Sequence, residues 1–176
     1  MKARPIYIFS ILALSTLVLI STCREESQNR DLAQENLLNQ QLSTLIDSCW
    51  NKQNLDAFQE LTTADFVRNL NGISVAKNQN EMEAHMQVFF TAFPDLEVSI
   101  EESEVKDNKV FLLWQSTGTN TGIYGEVAPT GKKVKINGLS HLYFDDVGKL
   151  YREDVYFNEL DLLQQLGYSL TPPNLE

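Results

Sequence analysis

Cysteine, histidine and positive charge are all scarce in this chain. Two Cys and two His in 176 residues nowhere fall at metal-ligand spacing, which excludes the usual zinc signatures and leaves no metal expected. Fourteen Lys and Arg against 24 Asp and Glu give a formal charge of −10, or −12 once Lys2 and Arg4 are removed with a leader. That sign repels phosphate backbones and argues against nucleic acid as a partner. A merely soluble surface accounts for the acidity without any basic ligand. The chain also lacks a phosphate-cradling glycine loop, a Gly-x-Ser-x-Gly elbow, an internal repeat and a low-complexity block. Gly118-Thr119-Asn120-Thr121-Gly122 reads as a turn, and no cofactor is expected. Aromatics, by contrast, are plentiful: nine Phe, six Tyr and two Trp, with 43% hydrophobic residues overall. Such a composition offsets ordering entropy by burial, and this length suits one domain plus extras.

The extras lie at the start. Lys2 and Arg4 precede an apolar run, Ile6 to Ile20, that ends in small residues before Cys23, the three regions of a secretory leader. The run falls short of the ~20 residues a bilayer core needs, and no basic stop-transfer cluster follows it. Ile20-Ser21-Thr22-Cys23 resembles a bacterial lipobox, with Thr22 where Gly, Ala or Ser is usual. That resemblance implies a signal peptide over 1–22, lipidation of Cys23, a polar tether to residue 33, and an exported lipoprotein held on the periplasmic or cell-surface side of a membrane. Cys49 would then be alone, with no intramolecular disulfide to form. It lies on an apolar helix side beside Trp50 and reads as a small buried hydrophobe.

From Arg30 to Asn54, Leu38, Leu42, Leu45, Ile46, Cys49 and Trp50 recur at three- and four-residue steps, predicting a long amphipathic helix. Asn54 caps a shorter one carrying Leu55, Phe58 and Leu61. Asp65 to Leu70 reads as a strand and Asn71-Gly72 as its turn. Asn80 precedes a third helix, stopped by Pro94, whose Met82, Met86, Phe89, Phe90 and Phe93 form a stripe. Such a stripe is more often core than a ligand box, although part of it could line a cavity under a concave sheet. His85 stands beside it as an edge residue.

Strands dominate afterwards. Leu96, Val98 and Ile100 alternate with polar residues; Asp107-Asn108 turns into the apolar run Val110 to Gln115. Ser116 to Gly131 reads as a long connection. Val134 to Asn137, Leu139 to Phe144 and Leu150 to Phe157 resume strand character around the turn Asp145-Asp146-Val147-Gly148, and Glu159 to Leu166 closes the chain helically. Helices first and antiparallel strands after imply an α+β domain, with N-terminal helices on one face of a curved sheet and a cone-like hollow between them.

The order Ala92-Phe93-Pro94-Asp95-Leu96, Gly118 to Gly125, Pro129-Thr130-Gly131-Lys132, Gly148-Lys149-Leu150 and Gln165-Leu166-Gly167 resembles the SnoaL-like polyketide cyclase (ester cyclase) family. The resemblance spans roughly Leu38 to Tyr168 and implies a domain over 34–170 with a short tail, 171–176. It also implies a cone-shaped, mainly antiparallel, nuclear-transport-factor-like fold close to that of ketosteroid isomerase. Cyclases of the family close rings by an aldol step without metal or cofactor, through a carboxylic acid in the cavity. Sheet faces in such cones often pair, which makes a homodimer one expected partner; a small hydrophobic molecule and a membrane are the others.

Family members commonly carry Asp where this chain has Asn158, and often His where it has Asn120. Asp154 offers a substitute. Period two puts Asp154, Tyr156 and Asn158 on one face of the last strand, with Val155 and Phe157 on the other, and the hairpin brings His141 beside Glu153 or Asp154. In one reading Asp154 and His141 face the cavity as proton carriers, Asn158 and Tyr156 orient a substrate oxygen, and Trp114, Phe90 and Met86 line the wall. In the other, Asp154 and His141 face solvent while Val155 and Phe157 face the core. A binding or assembly module that has lost the family's acid is the corresponding non-catalytic alternative.

Overall fold

The computed structural model describes residues 28–126 and 128–172. The expected leader, Cys23 with its expected lipidation, and the last four residues of the tail lie outside the described residues. Residues 28–36 are helical by themselves, and the unit that holds the sheet starts at Leu37.

Four helices and six strands build that unit. Helix α1 covers 37–51, α-helical at first and π-helical over Thr44–Asn51. Then follow α2 (Leu55–Leu61), β1 (Thr62–Leu70), β2 (Ile73–Ala76), α3 (Gln79–Ala92), β3 (Glu97–Lys106), β4 (Lys109–Thr119), β5 (Lys133–Phe144), β6 (Leu150–Phe157) and α4 (Glu159–Leu166). The strands form one sheet in the order β2-β1-β6-β5-β4-β3, antiparallel throughout except where β1 runs parallel to β6. This is the expected α+β arrangement. Among the described residues no helix is long and apolar enough to cross a membrane.

Local chemistry sets the boundaries. Asn54 caps α2 by accepting from the Ala57 N–H, and Asn158 caps α4 by accepting from the Asp161 N–H. Helix α3 is capped by Asn78 rather than Asn80: Asn78 accepts from the Glu81 N–H, and Glu81 in turn accepts from Lys77 N–H and the Asn78 amide. This reciprocal arrangement satisfies more of the free first-turn donors than a start two residues later. Three strand expectations also change. Ladder pairing carries β4 on to Thr119, so the connection begins at Asn120, and β5 runs unbroken through Gly138. Ile100 is 41% exposed because β3 is an edge strand with a bulge between Ile100 and Glu102, where alternation no longer dictates burial.

The family-like motifs prove to be fasteners. Asp95 accepts from both the N–H and the hydroxyl of Thr119 at 2.6 Å, tying the end of α3 to β4. Asn120, only 1% exposed, donates to the carbonyls of Ala92 and Gly122 and accepts from the N–H and hydroxyl of Thr130. Gln165 accepts from the Lys135 N–H and donates to the Lys135 carbonyl, so α4 is bonded to β5 as a strand would be. Asn51 does the same for Val98 on edge strand β3.

Candidate functional site

In β1 the residues Phe66, Arg68 and Leu70 turn to the helix side and are buried. A guanidinium on an apolar face needs a counter-charge, and the neighbouring strand supplies it. Arg68 and Glu153 are Cα partners across the β1–β6 ladder, and Arg68 Nη1 stands 3.4 Å from Glu153 Oε2, with both side chains under 10% exposed. Ser140, on β5, donates its hydroxyl to Glu153 Oε1 at 2.7 Å and accepts from the Trp114 indole N–H at 3.1 Å. Trp114 lies flat across β5 because its strand partner is Gly138; a methyl group there would collide with the indole ring.

These groups form the polar floor of a cavity of about 70 Å³ between sheet and helices. Its walls are apolar, with Trp50 from the π-helical part of α1, Phe89 and Phe93 from α3 and its end, and Phe157 from β6. The cavity sits where two clusters of buried side chains meet, and Leu96 and Trp114 pack against both. Glu153 is the single carboxylate of the lining. Arg68 lies over Trp50, 5.3 Å from the ring centroid, and touches Met82 Sδ at 3.8 Å. His85 packs edge-on against Phe89; burial first, and Arg68 second, push its pKa down to about 4, so it is a neutral imidazole at pH 7. Burial pushes the Cys49 thiol up to about 12, which removes it as a nucleophile and agrees with its reading as a small hydrophobe.

The residues expected to carry the chemistry fall elsewhere. Asp154 and His141 are indeed Cα partners, but they stand on the outer face of the sheet, away from the cavity. There Asp154 accepts four hydrogen bonds: from Asn69, from two nitrogens of Arg152 and from the Tyr143 hydroxyl. Burial would raise its pKa, yet the bonds from Arg152, Asn69 and Tyr143 outweigh it and hold the carboxyl below the usual range. A carboxylate so engaged is a poor proton carrier. His141 is stacked on Phe111 and leans on Tyr143; burial and Lys109 lower its pKa against the opposing pull of Asp154. Tyr156 is 49% exposed on the same outer face, and Asn158 is spent on capping α4. Met86 and Phe90 are core residues outside the lining, while Trp114 lines the cavity as expected. Helical geometry explains this split: of the α3 stripe, only Phe89 and Phe93 reach the hollow.

Arg68 and Ser140 were not singled out from the sequence, and Glu153 entered only as a possible neighbour of His141. A signal existed, since Glu153 shares strand parity with Val155 and Phe157, the apolar pair of β6.

Residues 40–166 match the SnoaL-like polyketide cyclase family. Among solved structures, the chain resembles a SnoaL-like protein from Jannaschia sp. CCS1 assigned as a polyketide cyclase, at 22% identity and TM-score 0.70, over 77% of this chain and 94% of that one. AclR from Streptomyces galilaeus, assigned as a hydroxylase, aligns at 25% identity and TM-score 0.66, over 82% and 87%. A phenazine biosynthesis-related protein from Pseudomonas aeruginosa aligns at 18% identity and TM-score 0.62, over 82% and 96%. The sequence matches no curated protein.

Proposed function

The chain belongs to the SnoaL-like polyketide cyclase family, and from that premise we propose that its cone binds a small apolar molecule and moves a proton on it by acid/base chemistry of the aldol-cyclisation or isomerisation type. The observation that carries this reading is the single carboxylate of the lining, Glu153, on the polar floor of a mainly apolar hollow, oriented by Ser140 and facing Arg68. A buried carboxylate fixed in one rotamer has the makings of a general base, because the proton it takes is met at a defined position rather than by diffusion. In this reading Glu153 does the work of the family's acid, one residue from Asp154, the substitute that the sequence offered.

Proton exchange offers a test that does not require the natural substrate. The α-protons of 2-tetralone exchange with D2O through its enol, and exchange is followed by proton NMR. The wild-type chain should accelerate exchange at neutral pH, Glu153→Gln should remove the acceleration, and Asp154→Asn should leave it intact. Equal exchange with wild type and Glu153→Gln would rule Glu153 out as the proton carrier. The competing reading, a binding module without turnover, draws on Asn158: where the family commonly has Asp, this side chain serves as a helix cap.

Two features of the surroundings extend the proposal. The leader-like Met1 to Thr22 and the lipobox-like Ile20-Ser21-Thr22-Cys23 support export and attachment to a membrane through lipid on Cys23; labelled palmitate should be incorporated by wild type and not by Cys23→Ala. The outer sheet face supports a homodimer. Phe111, Leu113, Leu139 and Tyr156 are each 36–49% exposed on adjacent strands, a contiguous apolar surface of the kind that marks protein contacts.

A further inference from the structure

Arg68 is 5% exposed, yet its donors are largely unspent. Nε–H has no partner. Nη1 points at a thioether sulfur, a weak acceptor, at 3.8 Å, and its approach to Glu153 is 3.4 Å, long for a charge-assisted bond, which closes to about 2.7–2.9 Å. Glu153 meanwhile has its other oxygen satisfied by Ser140. A buried donor left without an acceptor is costly, and native proteins rarely keep one without a use. Here the donor belongs to a residue that lines the cavity.

Charge decides what kind of acceptor fits. An incoming carboxylate would bring a second negative charge beside Glu153 in a site whose single cation already faces a carboxylate, and like charges at that range are destabilising. A neutral carbonyl oxygen meets the guanidinium without that repulsion. It would leave the rest of the ligand against Trp50, Phe89, Phe93 and Phe157, a set of faces suited to a flat ring. We infer that Arg68 is the specificity-determining residue of the cavity: it receives the uncharged carbonyl oxygen at the inner end of the ligand and discriminates against both an anion and a plain hydrocarbon. This rests on the reading of the cone as a small-molecule site and adds the residue that reads the ligand's oxygen.

Three isosteric probes separate the possibilities: acetophenone, benzoate and ethylbenzene. The chain has two Trp, and both line the cavity, so the two indole N–H signals in a nitrogen–proton NMR spectrum of the full chain report binding there. Acetophenone should shift them with an affinity at least about tenfold above that of ethylbenzene, the ratio expected of a hydrogen bond to a charged donor, and above that of benzoate. Arg68→Met should bring acetophenone down to the ethylbenzene level while ethylbenzene is held as before, and Arg68→Lys should keep part of the difference. Equal affinities of acetophenone and ethylbenzene for wild type would overturn the role of Arg68 while leaving the cavity as a binding site. Tightest binding by benzoate would overturn the carbonyl class in favour of an anion. If none of the three moves either signal, the small-molecule site itself fails, and this inference with it. The wild-type comparisons decide the matter even if Arg68→Met does not fold.

Discussion

Replacing Glu153 by Leu should destabilise the protein far more than replacing Glu153 and Arg68 together. The single change leaves the Arg68 guanidinium, 5% exposed, without a counter-charge, and it deprives the Ser140 hydroxyl of its acceptor. Breaking one side of a buried ion pair costs about 3–5 kcal/mol. The 3.4 Å separation is loose, which places this pair near the lower bound, about 3 kcal/mol, with about 1 kcal/mol more for the lost hydrogen bond. In a chain of this size that corresponds to a fall of roughly 8–16 °C in Tm. The double variant Arg68→Met/Glu153→Leu removes both charges and keeps the volume, so it should return to within about 1–2 kcal/mol of wild type. Urea unfolding followed by circular dichroism, read as a double-mutant cycle, measures the coupling directly. A Glu153→Leu protein within about 1 kcal/mol of wild type would refute the reasoning, because it would mean that water reaches the cavity floor and screens the pair.

Three further outcomes follow from the same geometry. Gly138→Ala should push the Trp114 indole off β5, costing about 1–3 kcal/mol as an overpacking change and moving the indole N–H signal as its bond to Ser140 breaks; an unmoved signal would show that the strand absorbs the methyl group. His85, whose folded pKa of about 4 lies below its ordinary 6.5, binds its proton in the unfolded chain first. Stability should therefore be complete above pH ~6.5 and decline as pH falls towards 4, and His85→Phe should flatten that part of the profile. On the outer face, Leu113→Glu should shift the chain from dimer to monomer in light scattering; wild type found monomeric at micromolar concentration would end the homodimer proposal.

The fold was legible because its evidence is spread along the chain. Helical spacing placed Leu38 to Trp50, strand-like runs separated by turns placed β4 to β6, and the motifs around Asp95, Asn120 and Gln165 are hydrogen-bonded ties between distant elements. That is also why those motifs say little about chemistry: their hydrogen-bonding residues Asp95, Asn120 and Gln165 hold α3, α4 and the 120–132 connection to the sheet, none of these three lines the cavity, and they would be needed whatever the cone did. The cap at Asn78 was missed because Asn78 and Asn80 carry the same side chain two residues apart. Only the reciprocal bonds with Glu81 choose between them.

The acid weighed from the sequence, Asp154, and the acid that lines the cavity, Glu153, are one residue apart, and in a strand one residue is decisive. Neighbouring positions point to opposite faces, so Glu153 and Asp154, adjacent in sequence, end on opposite sides of the sheet. Two constraints available without a structure favour Glu153. It shares parity with Val155 and Phe157, whose apolar side chains belong on the buried face. Arg68 shares parity with Phe66 and Leu70, so the same rule buries a guanidinium, and a buried cation requires an anion on an adjoining strand. What the sequence withheld was the adjacency itself, because β1 pairs with β6 across 85 residues, in parallel and with an irregular register. Once that pairing is in place both acids find their partners in step. Arg68 meets Glu153 on the inside and Asn69 meets Asp154 on the outside, so the ladder that sets one carboxylate in the cavity is the one that ties the other down on the opposite face of the sheet.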